Sequence, residues 1–498
     1  MRTTPIGIIM LNDEREHVYT QNNEENMRIV RQWADLIREK IVYIDGTRAE
    51  VVVGSEIITS IRIAQKVGEE LSRRNCKQVI MCYNVWNFPF LVWPFINSLG
   101  KDIPILSLSN NNGKYPGNVG LLATDGALRQ AGIKTHRIVG EIDSEKTRQE
   151  VYDWIRASLA FTTMKNEVYG CYGGHSMGME TGYFHLTPAL KVLGTTVRQI
   201  DQLWLVEAMK NVDKKEVNNG FKWFTELLGE RIKYDNKMLT PETLKTQIRL
   251  YLAMELVNKE KGFDSCGLKG QRELTEYVCL GDVAEMLMND PYDWRGPKES
   301  VVCATEADSY AAITMQLLKY ITGGLPTLFM DVRLYHPDKK IWDWCNSGNH
   351  SSYYADLSMD PEENFKHITF HPALEFYFKA GGASVEFNAA PGPMTFARIG
   401  LWDEKLYMVI AYGESLKLTE NEQKKLNEQT NPTWPHVHAK LEAEFDEFLQ
   451  VFPCNHIIGV SGDRVRILNY LCEISGITPV IIGKRGNERM MPIWERVV

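Results

Sequence analysis

The 498-residue chain has no CxxC pair, no block of Lys and Arg, and no apolar run long enough to cross a bilayer. Nine cysteines, an odd number scattered from Cys76 to Cys472, suit neither a disulfide scaffold nor a zinc ribbon and fit a reducing compartment, so a cytoplasmic protein is expected. With a net charge of −8 and no clustered cations, a nucleic-acid partner is not expected. The longest apolar stretch, around Phe88–Ile96, holds two prolines and falls far short of a membrane span. The opening MRTTPIGIIML lacks the basic region, long apolar stretch and small-residue cleavage site of a signal peptide. No GxGxxG follows the first apolar run, where residues 10–13 read MLND, so a nicotinamide-dependent oxidoreductase is a poor fit.

What is present is the balance of a soluble globular protein, 44% hydrophobic and 24% charged. A core stops growing near roughly 250–300 residues, so the chain needs two or three domains. Residues 1–165 alternate strand and helix: strands at 5–11, 51–54, 78–85, 104–109 and 137–140, helices at 23–40, 58–74 and 145–159. Short apolar runs between amphipathic helices predict a parallel sheet covered on both faces. Ligands of such sheets sit at the carboxyl ends of strands, here near Asn84, Trp86, Asn87 and 110–112. A second α/β domain is expected over 166–322, opening on a strand and the glycine-rich GCYGGHSMGME (170–180), which suits a tight strand-to-helix turn. Helices are expected at 200–208, 215–228 and 241–258, before the Gly/Lys-rich SCGLKGQRE (265–273). Residues 323–498 change character, with short strand-like runs at 328–332, 384–387, 396–401 and 406–412 between Gly/Pro turns. The expectation is two doubly wound α/β domains followed by a mostly antiparallel, barrel-like β domain. The charged stretch 417–430 reads as an exposed helix or loop.

Chemistry-bearing residues gather in CATEADSY (303–310), LFMDVRLY (328–335), CNSGNHSS (345–352) and PCNHI (453–457). Glu306, Asp331 and His456 each adjoin a strand-like apolar run. Two carboxylates and one imidazole make an oxygen-rich set for a divalent ion with positions left for substrate hydroxyls. It is unlike structural zinc, which takes a closed thiolate/imidazole tetrahedron. By spacing alone such groups are as readily helix caps, surface carboxylates or a core Asn–His pair.

The same stretches resemble the L-fucose isomerase / L-arabinose isomerase superfamily, most closely its fucose branch. GIIMLNDER (7–15), GGHSMGM (173–179), GQRELTEY (270–277), DWRG (293–296), CATEADS (303–309), DVRLY (331–335), NSG (346–348), GPMTFAR (392–398), NPTWP (431–435) and NHI (455–457) occur in family order. The resemblance implies a metal-dependent isomerase that interconverts an aldose and a ketose through a cis-enediol. Its metal ligands would be Glu306, Asp331 and His456, and its acid–base pair Glu306 and Asp331. The implied ion is Mn2+, with Mg2+ or Co2+ compatible with the same ligands. The implied assembly is a homohexamer in which the first domain completes a neighbour's pocket. No membrane partner is implied.

Substrate contacts implied by the resemblance are Arg15, Met177 and Gln271, with Tyr83 or Trp86 reaching a neighbouring subunit. Trp434 can offer an aromatic face to sugar C–H groups, and Asn455 can orient His456 or bind a hydroxyl. His350 reads either as a fourth ligand or substrate contact, or as a surface-loop residue. Two departures bear on specificity. The family's pocket tyrosine falls near Ala383 in KAGGASVEF (379–387), and its tryptophan loop reads CYNVWNFPF (82–90). The substrate expectation is therefore a neutral aldose of the L-fucose, D-arabinose or L-arabinose class. The alternative is an anionic sugar such as sulfoquinovose, converted to its 6-deoxy-6-sulfofructose ketose. Candidate cations for that anion are Arg15, Lys379, Arg398, His436 and His438. A non-catalytic sugar-binding or regulatory protein is the third reading.

Overall fold

A computed structural model describes residues 3–183, 185–348 and 350–485. The chain divides into two compact units, one running to Thr163 and taking in Tyr320–Gly323, the other holding Met164–Lys319 and the chain from Gly324 on.

The first unit is built on five parallel strands: β1 (Ile6–Met10), β2 (Val51–Val53), β3 (Gln78–Tyr83), β4 (Ile105–Ser109) and β5 (His136–Val139), in the order β2-β1-β3-β4-β5. Strands β1, β3 and β4 are buried along their whole length, as their unbroken apolar runs require. The helix Ile61–Arg73 shows why these segments wind between strands. Ser60 caps it by accepting from the backbone N–H of Ile63, and Ala64, Val67, Gly68 and Leu71 form one buried stripe. Two helices, Val92–Leu99 and Gly117–Gln130, lie where the sequence reading assigned none, and the helix from Glu145 runs on to Met164.

The second unit opens on another parallel sheet: β6 (Val168–Tyr172), β7 (Thr196–Ile200), β8 (Ser265–Leu268) and β9 (Cys303–Thr305), ordered β9-β8-β6-β7. The SCGL of residues 265–268 is thus an interior strand. Its glycine has a packing reason: a Cβ on Gly267 would lie 2.0 Å from Tyr169 Oη and 3.0 Å from Ala307 Cα. The long helix Pro241–Lys261 has local punctuation to match, with Thr240 as N-cap, Pro241 in the first turn and Gly262 left-handed at its end.

Seven strands make the third sheet: β10 (Leu328–His336), β11 (Ile341–Cys345), β12 (Gly392–Trp402), β13 (Lys405–Ser415), β14 (His436–Leu441), β15 (His456–Ser461) and β16 (Thr478–Ile482). Their order is β12-β15-β10-β11-β14-β13-β16, and β12 also pairs with β13, so six strands pair in a cyclic order. The pairs are antiparallel except β13–β16, so the sheet is mixed. Trp344 and Phe396 meet edge to face at 4.7 Å in its core. The charged stretch 417–430 contains the helix Glu420–Asn427, closed by a Thr419/Glu422 capping box. Among the described residues no helix is long and apolar enough to cross a membrane.

Candidate active site

Strands β10 and β15 run antiparallel, and their register sets Asp331 directly opposite His456. Cross-strand partners have their Cβ atoms within roughly 5.5 Å, so these side chains are obliged to meet. Glu306 arrives from the parallel sheet, immediately after β9. It and Ala307 take left-handed backbone, with φ of 54° and 50°. Two successive non-glycine residues in that region cost of order 1–3 kcal/mol each, a strain that recurs at functional sites. The turn is pinned by the Ala307 N–H donating to the Leu268 carbonyl (2.9 Å) and the Asp308 N–H donating to the Thr305 carbonyl (3.1 Å).

The outcome is a tight cluster. His456 Nε2 lies 3.2 Å from Glu306 Oε2 and 3.3 Å from Asp331 Oδ1. The His456 side chain is 1% exposed, and the two carboxylates are 17% and 18% exposed. The three side chains expected to converge therefore do so. Nε2 is buried and has no hydrogen-bond partner among the described residues. The opposite nitrogen, Nδ1, is 2.6 Å from Asp308 Oδ2. An ionised carboxylate only accepts, so the proton belongs on Nδ1 and the Nε2 lone pair faces the two carboxylates. This is the tautomer and orientation that a metal-ligating imidazole needs, with a carboxylate behind it. The donor set thus fits a divalent ion. Burial works against charge on His456, but the Asp308 hydrogen bond and the facing carboxylates outweigh it and raise its proton affinity well above normal. A proton and a cation therefore compete for this nitrogen.

Asp308 and Arg398 complete the cluster from behind, and the sequence reading did not single out Asp308. Its Oδ1 accepts from Arg398 Nη2 (2.9 Å) and from the Ala311 N–H at the start of the helix Ser309–Ile321 (2.9 Å). Burial would raise the Asp308 carboxyl, but the Arg398 charge and the His456 hydrogen bond hold it down at about 2. Arg398 is thereby committed to Asp308 and is not free to hold a substrate anion.

Glu306 and Asp331 open onto a cavity of about 220 Å3. Met177, Gln271 and Trp434 line it, as expected of substrate contacts. Asn455 is exposed and donates to Asp331 Oδ1 (3.3 Å), so it braces the carboxylate while Asp308 orients His456. His350 is no surface-loop residue. It is 2% exposed, lies beside the Phe387 ring, and is not among the cavity's lining residues. Ala383 is buried in a short strand with its N–H held by Gln247 Oε1 (2.7 Å), and the aromatic wall comes instead from Tyr377, Phe378 and Trp434. In the first unit, Tyr83 is buried within β3, so Trp86 is the aromatic of that loop left partly exposed. Arg15 is half-exposed and ion-paired with Asp13 at 2.6 Å.

A second carboxyl pair lines the same cavity. Asp282 and Glu285 are both 2% exposed and share the helix Asp282–Asn289. Gly348 of the NSG motif packs on them so closely that a Cβ there would lie 2.5 Å from Glu285 Oε2. Enclosure pushes the Asp282 carboxyl up to about 7, against the hydrogen bond from Ser347. Its folded value lies above its unfolded 3.8, so its contribution to stability is complete below about pH 4 and is lost as pH rises towards 7. A shift of that size is worth about 4 kcal/mol. Asp282→Asn should therefore be the more stable protein at pH 8, with the gap closing by pH 4. Urea unfolding across that range checks it, and a constant difference between the two proteins would contradict it.

Three family models match the chain in order: L-fucose isomerase, first N-terminal domain, over residues 3–166; second N-terminal domain over 238–323; and C-terminal domain over 344–482. The chain belongs to the L-fucose isomerase family. Among the family's curated members, the L-fucose isomerase of Vibrio vulnificus is 24% identical over 483 residues, covering 83% of this chain and 80% of its own. That of Haemophilus influenzae is 24% identical, covering 84% and 80%, and that of Streptococcus pneumoniae TIGR4 is 25% identical, covering 86% and 84%. Family membership makes the chain an enzyme of the aldose–ketose isomerase type. Glu306 and His456 lie in the second and third matched segments, and Asp331 lies between them.

Proposed function

We propose that the chain isomerises a monosaccharide of the L-fucose, D-arabinose or L-arabinose class, using a divalent ion held by Glu306, Asp331 and His456. The observation that carries this is the unpartnered, buried Nε2 of His456 between two carboxylates. When bound, the ion supplies a Lewis acid that stabilises negative charge on adjacent sugar oxygens. The acid–base work falls to the two carboxylates. One removes the proton at C2 of the aldose and returns it to C1, and the other moves the proton between O1 and O2, through a cis-enediol. Asp308 keeps His456 in the ligating tautomer, Asn455 braces Asp331, and the aromatic wall displaces water from one side of the sugar. Two carboxylates with one imidazole favour Mn2+, with Mg2+ or Co2+ as substitutes. We read the assembly as a cytoplasmic homohexamer of three-domain subunits, with Trp86 offered to a neighbour and the cyclic pairing of β10–β15 closing a barrel.

A second reading, an anionic substrate such as a sulfonated hexose, is favoured by the two cations in the cavity wall, Lys269 and Arg333. Neither was among the expected anion contacts. Of those, Arg398 is committed to Asp308, and His436 and His438 are buried away from the cavity lining. Arg333 is a third exposed and sits 3.5 Å from Asp331 and over the Trp434 ring. A panel of L-fucose, D-arabinose, L-arabinose and sulfoquinovose with Mn2+, followed by ketose detection, separates the readings. A neutral substrate should survive Arg333→Gln with less than about tenfold loss of kcat/KM. An anionic one should lose roughly 10–100-fold, the worth of one charged hydrogen bond. Turnover of none of these sugars by the Mn2+-loaded wild type would refute both.

A further inference from the structure

Strands β11 and β14 pair antiparallel with Asp343 opposite His438 and Cys345 opposite His436. Side chains alternate along a strand, so Asp343, His436 and His438 share one face of the sheet. Their ligand atoms all lie within 4.8 Å of one another, and the side chains are buried, at 0%, 0% and 3% exposure. His436 Nδ1 is 2.7 Å and His438 Nε2 3.6 Å from the same oxygen, Asp343 Oδ1. The two imidazoles stack with centroids 5.6 Å apart.

Two features distinguish this cluster from a simple ion pair. His438 Nε2 is buried without a hydrogen-bond partner among the described residues, and an unsatisfied buried polar atom costs about 1–3 kcal/mol. The outward atoms of the other two residues are already held. His436 Nε2 donates to the Asn431 carbonyl (2.8 Å), and Asp343 Oδ2 accepts from the Thr430 hydroxyl (2.8 Å). Backbone and hydroxyl partners of this kind orient metal-binding His and Asp side chains.

We propose that Asp343, His436 and His438 form a second divalent-metal site, structural in role and separate from the Glu306/Asp331/His456 cluster. Two imidazoles and one carboxylate are a softer set than two carboxylates and one imidazole, so this site selects Zn2+ where the other selects a harder ion. Binding displaces the proton that His436 Nδ1 now shares with Asp343, one proton released per ion taken up. The ion ties two strands that lead into the cavity wall: β11 runs into Asn346 and Ser347, and β14 follows Trp434 by one residue.

The test counts metal. The full chain is stripped with EDTA, reloaded with Mn2+ and Zn2+ together, freed of excess ions and assayed by plasma mass spectrometry. It is run as wild type, as Glu306→Gln/Asp331→Asn and as His438→Gln. We expect one Zn2+ per chain in the first two and none in His438→Gln, with Zn2+ raising the melting temperature only where it is bound. One Zn2+ lost with Glu306→Gln/Asp331→Asn, or no Zn2+ in the wild type, overturns the proposal. If His438→Gln does not fold, the double variant decides alone, because it leaves the proposed site untouched. The Mn2+ count is separate: its loss from the double variant supports the catalytic site, and its absence from the wild type counts against that site alone.

Discussion

Glu306→Gln should abolish ketose formation while the chain stays folded. A positioned acid–base group contributes typically 10²–10⁴-fold, and this substitution also removes an anionic ligand from the ion. The combined loss in kcat is expected at about 10⁴-fold or more. Stability should hold because Glu306 is partly exposed on a turn, and glutamine has the same shape and the same tolerance of the left-handed backbone at φ 54°. The carboxylate also faces Asp331 across His456, so losing one charge relieves like-charge crowding in the metal-free protein. Turnover is measured on the aldose that the wild type converts, at saturating Mn2+, beside a thermal melt. A folded variant within tenfold of wild-type kcat removes Glu306 from the chemistry.

The ligands were legible in the sequence because each stands at the end of an apolar run, where a buried strand delivers its side chain to a pocket. Their meeting was less so. Asp331 and His456 touch because of a strand register, a relation between distant segments that neither segment states locally. The partners behind them were visible in type and missed in role. Arg398 sits inside the apolar run MTFARIGL, where a cation must find a buried counter-charge, and Asp308 follows Glu306 by two residues. Asp282 and Glu285 likewise interrupt an otherwise apolar helix at i and i+3, the spacing that puts two side chains on one face. His350 was hidden by its neighbours. NSGNHSS has the composition of a surface loop, but Ser351 and Ser352 are drawn inward by hydrogen bonds of 2.6 and 2.7 Å to the buried Asp290. The short strand SCGL was obscured by the glycine that its packing demands. Local composition reports exposure well only until a buried partner satisfies the polar groups.

Asp308→Asn should damage the enzyme in a different way, through the ion and the fold. Asp308 joins three donors at once: His456 Nδ1, Arg398 Nη2 and the Ala311 N–H. The amide keeps the shape and loses the charge, which leaves the Arg398 guanidinium, 1% exposed, without its counter-ion. Breaking one partner of a buried pair costs about 3–5 kcal/mol. The oxygen of that amide also grips the Nδ1–H of His456 less strongly than a carboxylate does. If the amide turns its NH2 to the ring, the proton shifts to Nε2 and the ligating lone pair is gone. Loss of such a supporting partner typically lowers metal affinity 10–100-fold. The expected signature is a shifted Mn2+ activation curve whose lost rate is partly recovered at high Mn2+, together with a lower melting temperature. Glu306→Gln, by contrast, recovers nothing with added ion. An Asp308→Asn protein whose Mn2+ midpoint matches the wild type would show that the carboxylate only caps the helix and pairs Arg398, with no hand in orienting the ligand.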